Sequence, residues 1–312
     1  MKRCKNLSYK QLSPFFDNDS NSTQVNLTGV SMQDSLFLQS WLHGRSKKTV
    51  QAYLADILRF YECIGKPLQT ITLEDFQDFI NSLAHLSPAS RARVTASVKS
   101  ALSFGLKTGY LQVNIGTVVK LPKLENKLAE RIMSEQQVAK MFALEENKRN
   151  HAILVLLYRA GLRVSELCSL TWRNLQDRSE SGQVTIYGKG KKTRHVLLDQ
   201  ATWDEVMSLK EKEAGLDDYV FQSRQAWSPA GKEDRRMDES SVNRIVHAAA
   251  KRAGISGKVS PHWMRHAHAT HALERGAPIT LVKETLGHES METTAKYTHV
   301  RPNASSSQFL GV

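Results

Sequence analysis

The sequence predicts a mainly α-helical protein of two domains, the second carrying one small antiparallel sheet. Three observations predict it. The chain has 312 residues, enough for two domains that each bury a core. Apolar residues recur at three- and four-residue spacing over most of its length, which is the period of an amphipathic helix. The β-rich runs are Gln183–Tyr187 and Thr193–Leu198, and the glycine- and lysine-rich segment Gly188–Lys192 between them is a hairpin signal.

Residues 1–31 are polar, with Asp17–Thr23 rich in Asn, Ser, Asp and Thr, and read as a mobile extension. A first helix starts at Met32 with Leu36, Leu38, Trp41 and Leu42 as its apolar stripe. A second runs from Lys47 through Val50, Tyr53, Leu54, Ile57, Leu58 and Tyr61, and Gly65-Lys66-Pro67 stops it. Thr72 and Asp75 form a capping box that opens a third helix, with Phe76, Phe79, Ile80 and Leu83 inside. Ser87 caps a fourth, Pro88 takes its first position, and it runs to about Lys107. Residues 32–121 are therefore expected to form a small helical domain, and the basic, proline-bearing segment 122–132 a linker.

The second domain is expected over 133–312. Ser134 caps its first helix, and the apolar helix His151–Ala160 ends at Gly161. A short helix, Val164–Leu170, precedes the hairpin. Further helices are expected near 201–214, 239–253, 261–275, 278–286 and 291–298. Ser223–Met237 reads as a polar loop, and Phe309 and Leu310 are the bulky apolar residues of the tail beyond Tyr297.

Composition narrows the function classes. The net charge of +12 is spread along the chain, and with a sequence pI near 9.6 it favours a polyanionic partner, nucleic acid ahead of anionic membrane. The longest apolar run, Ala152–Leu157, is far short of the ~20 residues a membrane helix needs. The start, MKRCKNLSYKQLSPFF, lacks the apolar segment of a signal peptide. Cys4, Cys63 and Cys168 are too dispersed for a disulfide framework or a metal knuckle, so the expected compartment is the reducing cytosol.

Four segments carry candidate chemistry: GLRVSEL at 161–167, GKGKKTR at 188–194, PHWMRH at 261–266, and LGH at 286–288 with YTH at 297–299. Each alone reads as ordinary surface or packing. Together they supply the parts of a phosphoryl-transfer site. Arg163 and Glu166 are three apart, as are His262 and Arg265, so each pair shares a helix face. Guanidinium forks suit the equatorial oxygens of a phosphodiester in displacement. A tyrosine hydroxyl needs a base or a cationic setting to attack, and a departing sugar oxygen needs an acid.

With these motifs in this order, the chain resembles the tyrosine recombinase (phage-type integrase) family and looks most like its compact Xer-type members. The resemblance covers about residues 32–300. It implies a four- or five-helix, SAM-like core-binding domain and a mostly helical catalytic domain around duplex DNA. Carried over residue by residue, it implies Tyr297 as the nucleophile forming a 3′-phosphotyrosyl bond. Arg163 and Arg265 would hold the scissile phosphate, assisted by His288. Lys189 would be the general acid, His262 would take part in proton transfer, and Glu166 would support the arginines. No cofactor, metal or ATP is implied. The implied partner is double-stranded DNA with inverted half-sites, bound by a homotetramer that exchanges strands through a Holliday junction. Exchange of the C-terminal tail between protomers and accessory proteins are compatible with that scheme. The expected location is the cytoplasm, on the nucleoid.

Expected DNA contacts are Arg45, Lys47, Lys48, Arg91, Arg93 and Lys99 in the first domain and Lys191, Lys192 and Arg194 in the hairpin. Three other readings stand beside this one. A type IB topoisomerase uses similar tyrosine chemistry without strand exchange, and a catalytically silent DNA-binding protein would share the basic surface. A metal hydrolase would use His262, His266, His268 and His271, but zinc sites need three or four convergent ligands, and there is no HExxH motif.

Overall fold

The computed structural model describes residues 30–121, 131–179, 181–188, 193–223, 235–288, 290–295 and 297. Nearly all of the expected extension lies outside the described residues, as do linker residues 122–130. So do Lys189, Lys191 and Lys192, loop residues 224–234, and the tail with Phe309 and Leu310. The chain divides into two compact units, Met1–Glu125 and Asn126–Val312.

Among its described residues, the first unit has the α-helices α1 (Met32–Leu42), α2 (Lys47–Ile64), α3 (Leu73–Ser82) and α4 (Pro88–Lys107). Their starts follow the capping residues. The side chains of Ser31, Ser46, Thr72 and Ser87 each accept from a backbone N–H of the first turn, and Thr72 and Asp75 form a reciprocal box. Leu38, Trp41, Leu54, Ile57, Phe60, Phe76, Phe79 and Leu102 are buried in one core. Phe60 meets Phe79 edge to face at 4.9 Å. The buried Asp34 accepts hydrogen bonds from the Tyr110 hydroxyl (2.7 Å) and the Leu68 backbone N–H (3.3 Å). One expectation is corrected. Leu36 is 53% exposed, and Phe37 fills the core in its place. Two residues along a helix is about 200° of rotation, so Leu36 and Leu38 cannot share a face.

The second unit begins with α5 (Glu135–Ala143), α6 (Lys148–Arg159) and α7 (Val164–Cys168). A sheet follows, β1 (Leu175–Arg178), β2 (Ser181–Tyr187) and β3 (Thr193–Leu198), antiparallel in that spatial order. Then come α8 (Gln200–Met207), α9 (Glu239–Arg252), α10 (Pro261–Glu274), α11 (Ile279–Leu286) and α12 (Met291–Ala295). Helix α6 is the centre of the core. Ala152–Leu157 are buried at every position, because α10, α8 and α7 pack around it. The hairpin pairs Tyr187 with Thr193 and Ile186 with Arg194. The sequence reading lacked β1, whose residues Leu175-Gln176-Asp177-Arg178 are mostly exposed and carry no apolar alternation. Helix α8 ends at Met207, short of the expected 214, since Lys210–Glu213 offer no apolar side chain to hold another turn.

Candidate active site

The site is organised around the C-terminal end of α11. Gly287 adopts a left-handed conformation (φ +62°) and closes the helix as a Schellman cap. The Gly287 N–H donates to the Glu284 carbonyl at 3.0 Å and the His288 N–H to the Lys283 carbonyl at 3.1 Å. That leaves the next three carbonyls, of Thr285, Leu286 and Gly287, without a partner from the cap. Three arginines take them in succession. Arg194 Nε donates to Thr285 O (2.8 Å), Arg265 Nη2 to Leu286 O, and Arg163 Nη2 to Gly287 O (2.9 Å). A helix C-terminus carries partial negative charge, so it is a place where guanidinium groups gather at reduced cost.

Each arginine arrives from a different element. Arg163 stands at the start of α7, after the α6–α7 corner. Gly161 makes that corner in a left-handed conformation (φ +58°), where a Cβ would lie 2.6 Å from the Leu286 side chain. The Gly161 carbonyl accepts from Arg265 Nη1. Glu166, at the third position of α7, reaches back to the Arg163 backbone N–H at 2.7 Å and to Arg163 Nη1 at 2.8 Å. The same carboxylate accepts two bonds from Arg194 of β3, at 2.8 and 2.7 Å. Burial opposes the charge of Glu166, but the hydrogen bonds and charges of Arg194 and Arg163 outweigh it and hold the carboxyl near 2.

Helix α10 supplies the other half. Pro261 opens it, and His262, Arg265 and His266 follow at helical spacing on one side. Arg265 is only 4% exposed; burial first, then the like charge of Arg163, draws its guanidinium down to about 9. His266 Nδ1 lies 2.6 Å from the hydroxyl of Tyr297, which is itself buried. Burial raises the Tyr297 phenol, and the charge of Arg265 pulls it partly back. Burial, followed by the nearby charge of His262, lowers His266 to about 4, so its ring is neutral at pH 7. The His262 ring stacks on His266 at 5.8 Å and is lowered by burial, then by Arg265. His288 follows the α11 cap directly. Its Nδ1 is 2.9 Å from Thr294 Oγ1, and its ring lies nearly parallel to that of Tyr297, 6.3 Å away. Burial, then the charges of Arg265 and Arg163, lowers it to about 4.

The structure thus brings Arg163, Glu166, His262, Arg265, His288 and Tyr297 into one neighbourhood. Arg163, Glu166, Arg194, Tyr187, Arg236 and His288 line one open cleft. Two members of the site were absent from the sequence reading in these roles. His266 entered it only as a possible metal ligand, yet this histidine, not His262, meets the phenol. The four-residue step from His262 to His266 was the available signal. Arg194 was expected to touch DNA but turns inward onto Glu166. The other histidines of α10 have separate partners: His268 Nδ1 is 2.7 Å from Tyr158 O, and His271 Nδ1 is 2.9 Å from the Tyr158 hydroxyl. Among the described residues, no three His, Cys, Asp or Glu side chains group as an ion cage.

The expected DNA contacts of the first unit have diverse surroundings. Lys47 and Lys48 are exposed at the start of α2. Arg45 lies over the rings of Tyr53 and Trp41, 5.0 and 5.7 Å from their centroids. Arg93 forms a two-bond ion pair with the buried Asp56, and Lys99 donates to the Val119 carbonyl. Arg91 is half-buried, and its Nε has no hydrogen-bond partner.

A model of the phage integrase family matches residues 130–304. The chain belongs to the phage integrase family. Its N-terminal part, residues 37–109, matches the phage integrase N-terminal SAM-like domain. Tyrosine recombinase XerC of Corynebacterium efficiens is 33% identical over 268 residues, covering 82% of each chain. Tyrosine recombinase XerC of Corynebacterium glutamicum is 34% identical over 266 residues, 82% of this chain and 83% of that one. Among solved structures, a lambda integrase(75-356) dimer bound to a COC' core site shares the fold. Its TM-score is 0.68 at 18% identity, covering 87% of this chain and 95% of that one. The family membership drawn from the four motifs is therefore met, and so is the mainly helical fold with its small sheet.

Proposed function

We propose that the chain is a site-specific DNA recombinase that cuts and rejoins DNA through Tyr297. The observation that carries this reading is the convergence of Arg163, Arg265, His288 and Tyr297 at the end of α11. The relatives named tyrosine recombinase XerC support it. The scissile phosphodiester enters the cleft and takes the free N–H groups of Arg163. Arg163 has five donors, spends two on Glu166 and Gly287, and remains 38% exposed. Arg265, held from behind by two carbonyls, adds a second positive charge. The Tyr297 oxygen attacks phosphorus, its proton passing to the neutral ring of His266. One P–O bond forms to tyrosine and one breaks to the 5′-oxygen, which Lys189 protonates. Because the phosphotyrosyl bond conserves the energy of the broken one, the scheme uses neither ATP nor metal.

The two expected domains divide the labour. Residues 32–121 bind the core of the site and 133–312 carry the chemistry, joined by 122–132. A tetramer on paired inverted half-sites completes exchange through a Holliday junction, with tail exchange between protomers. The assembly works in the cytoplasm on nucleoid DNA; among the described residues no helix is long and apolar enough to cross a membrane.

The decisive experiment is covalent capture. The chain and its Tyr297→Phe variant are expressed in host cells, the protein is recovered under denaturing conditions, and attached DNA is sequenced. The expected result is sharp sites for the unsubstituted chain and none for the variant, which keeps its DNA binding. Equal recovery from both would overturn Tyr297 as nucleophile. Joined products from two sites, as opposed to relaxation of supercoils alone, separate recombination from topoisomerase action.

A further inference from the structure

Arg194 lies outside the reacting set, yet it makes three hydrogen bonds to the frame that holds that set. Its two Nη atoms donate one bond to each oxygen of Glu166, and its Nε donates to the Thr285 carbonyl. Its side chain is only 11% exposed, and the Gly287 backbone packs so closely that a Cβ there would lie 3.1 Å from it. Within this cluster two positive charges, on Arg163 and Arg194, face one negative charge on Glu166.

The count matters for the chemistry. Glu166 is the group that fixes Arg163, by its backbone N–H and its side chain together. A carboxylate paired with Arg163 alone would fix the guanidinium but cancel its charge, at the place where a phosphate must be attracted. A second guanidinium on the same carboxylate removes that conflict.

We infer that Arg194 is a positioning residue for the scissile phosphate. It neutralises Glu166 so that Arg163 is held rigidly and still presents its full positive charge to the cleft, and it ties β3 to the end of α11 that leads into His288. The inference rests on the proposed phosphoryl-transfer reading.

The test compares two synthetic duplex substrates that differ at the scissile position, one with an ordinary phosphodiester and one with a methylphosphonate. The second lacks the charge that Arg163 would meet. Covalent adduct formation is timed for the unsubstituted chain, Arg194→Gln, Arg194→Lys and Arg163→Ala, with thermal melts to confirm folding. We expect Arg194→Gln to slow adduct formation on the phosphodiester by about 10²-fold, the scale of a misplaced reacting group. On the methylphosphonate it should run close to the unsubstituted rate, as Arg163→Ala should. Arg194→Lys, which keeps the charge but not the two-bond grip, should fall between, and it carries the test if Arg194→Gln fails to fold. Equal losses on both substrates, or no loss on either, would overturn the inference. Failure of the underlying reading has its own mark: no adduct from the unsubstituted chain, or an Arg163→Ala loss that ignores the charge of the substrate.

Discussion

Arg163 and Arg265 meet at the same helix end but are anchored by opposite means. Arg163 is fixed by a carboxylate and is 38% exposed. Arg265 is fixed by two neutral carbonyls and is 4% exposed. The carbonyl anchor leaves the charge uncompensated, and burial then draws that guanidinium down to about 9. The carboxylate anchor needs a third group, Arg194, to restore the net positive charge. One arginine is therefore part of the core and the other part of the surface, although both are proposed to serve one phosphate. The comparison teaches that similar catalytic duties tolerate very different structural debts.

The largest expected effect separates the two. Arg265→Ala orphans the Gly161 and Leu286 carbonyls, each costing about 1–3 kcal/mol when buried without a partner. Both folding and cleavage should fail, and urea unfolding followed beside adduct formation reads the two together. Arg163→Ala should lose about 10²–10³ in adduct formation, the scale of one preorganised donor. Its unfolding midpoint should stay near that of the unsubstituted chain. If the two variants lose stability equally, the contrast between core and surface arginine is wrong.

A smaller effect sharpens the same contrast through pH. His266 and His288, beside the buried half of the site, titrate near 4 when folded and at the ordinary 6.5 when unfolded. Between those values the folded chain binds fewer protons than the unfolded one. Stability from these groups is therefore complete above about 6.5 and is lost as pH falls toward 4. Denaturation midpoints measured across that window should decline less steeply in the His266→Gln, His288→Gln double variant. An unchanged slope would place the acid sensitivity elsewhere.

Legibility in the sequence followed the range of the interaction. Thr72 with Asp75, Ser87 with Pro88, and Ser134 as a cap act within one helical turn, and each helix start is readable from them. The hairpin was readable from its β-rich arms and glycine turn, whereas β1, a polar edge strand, was not. Leu36 shows the limit of counting apolar residues without their angle, since composition admitted it to the stripe and rotation put it in solvent. Four motifs marked Arg163, Arg265, His288 and Tyr297, because their residue types and order are unusual in combination. His266 went unassigned because its partner lies 31 residues away on another element.

Helix starts, their caps, the hairpin and the family follow from the sequence alone, since these rest on local spacing and on motif order. It took the packing of distant elements to turn Arg194 onto Glu166 instead of solvent, to bring His266 to Tyr297, and to gather three arginines on the last carbonyls of α11. The physical reason is that backbone carbonyls are the same at every position of a sequence. Which of them remain unpaired, and which distant guanidinium reaches them, is settled by packing between elements far apart in the chain.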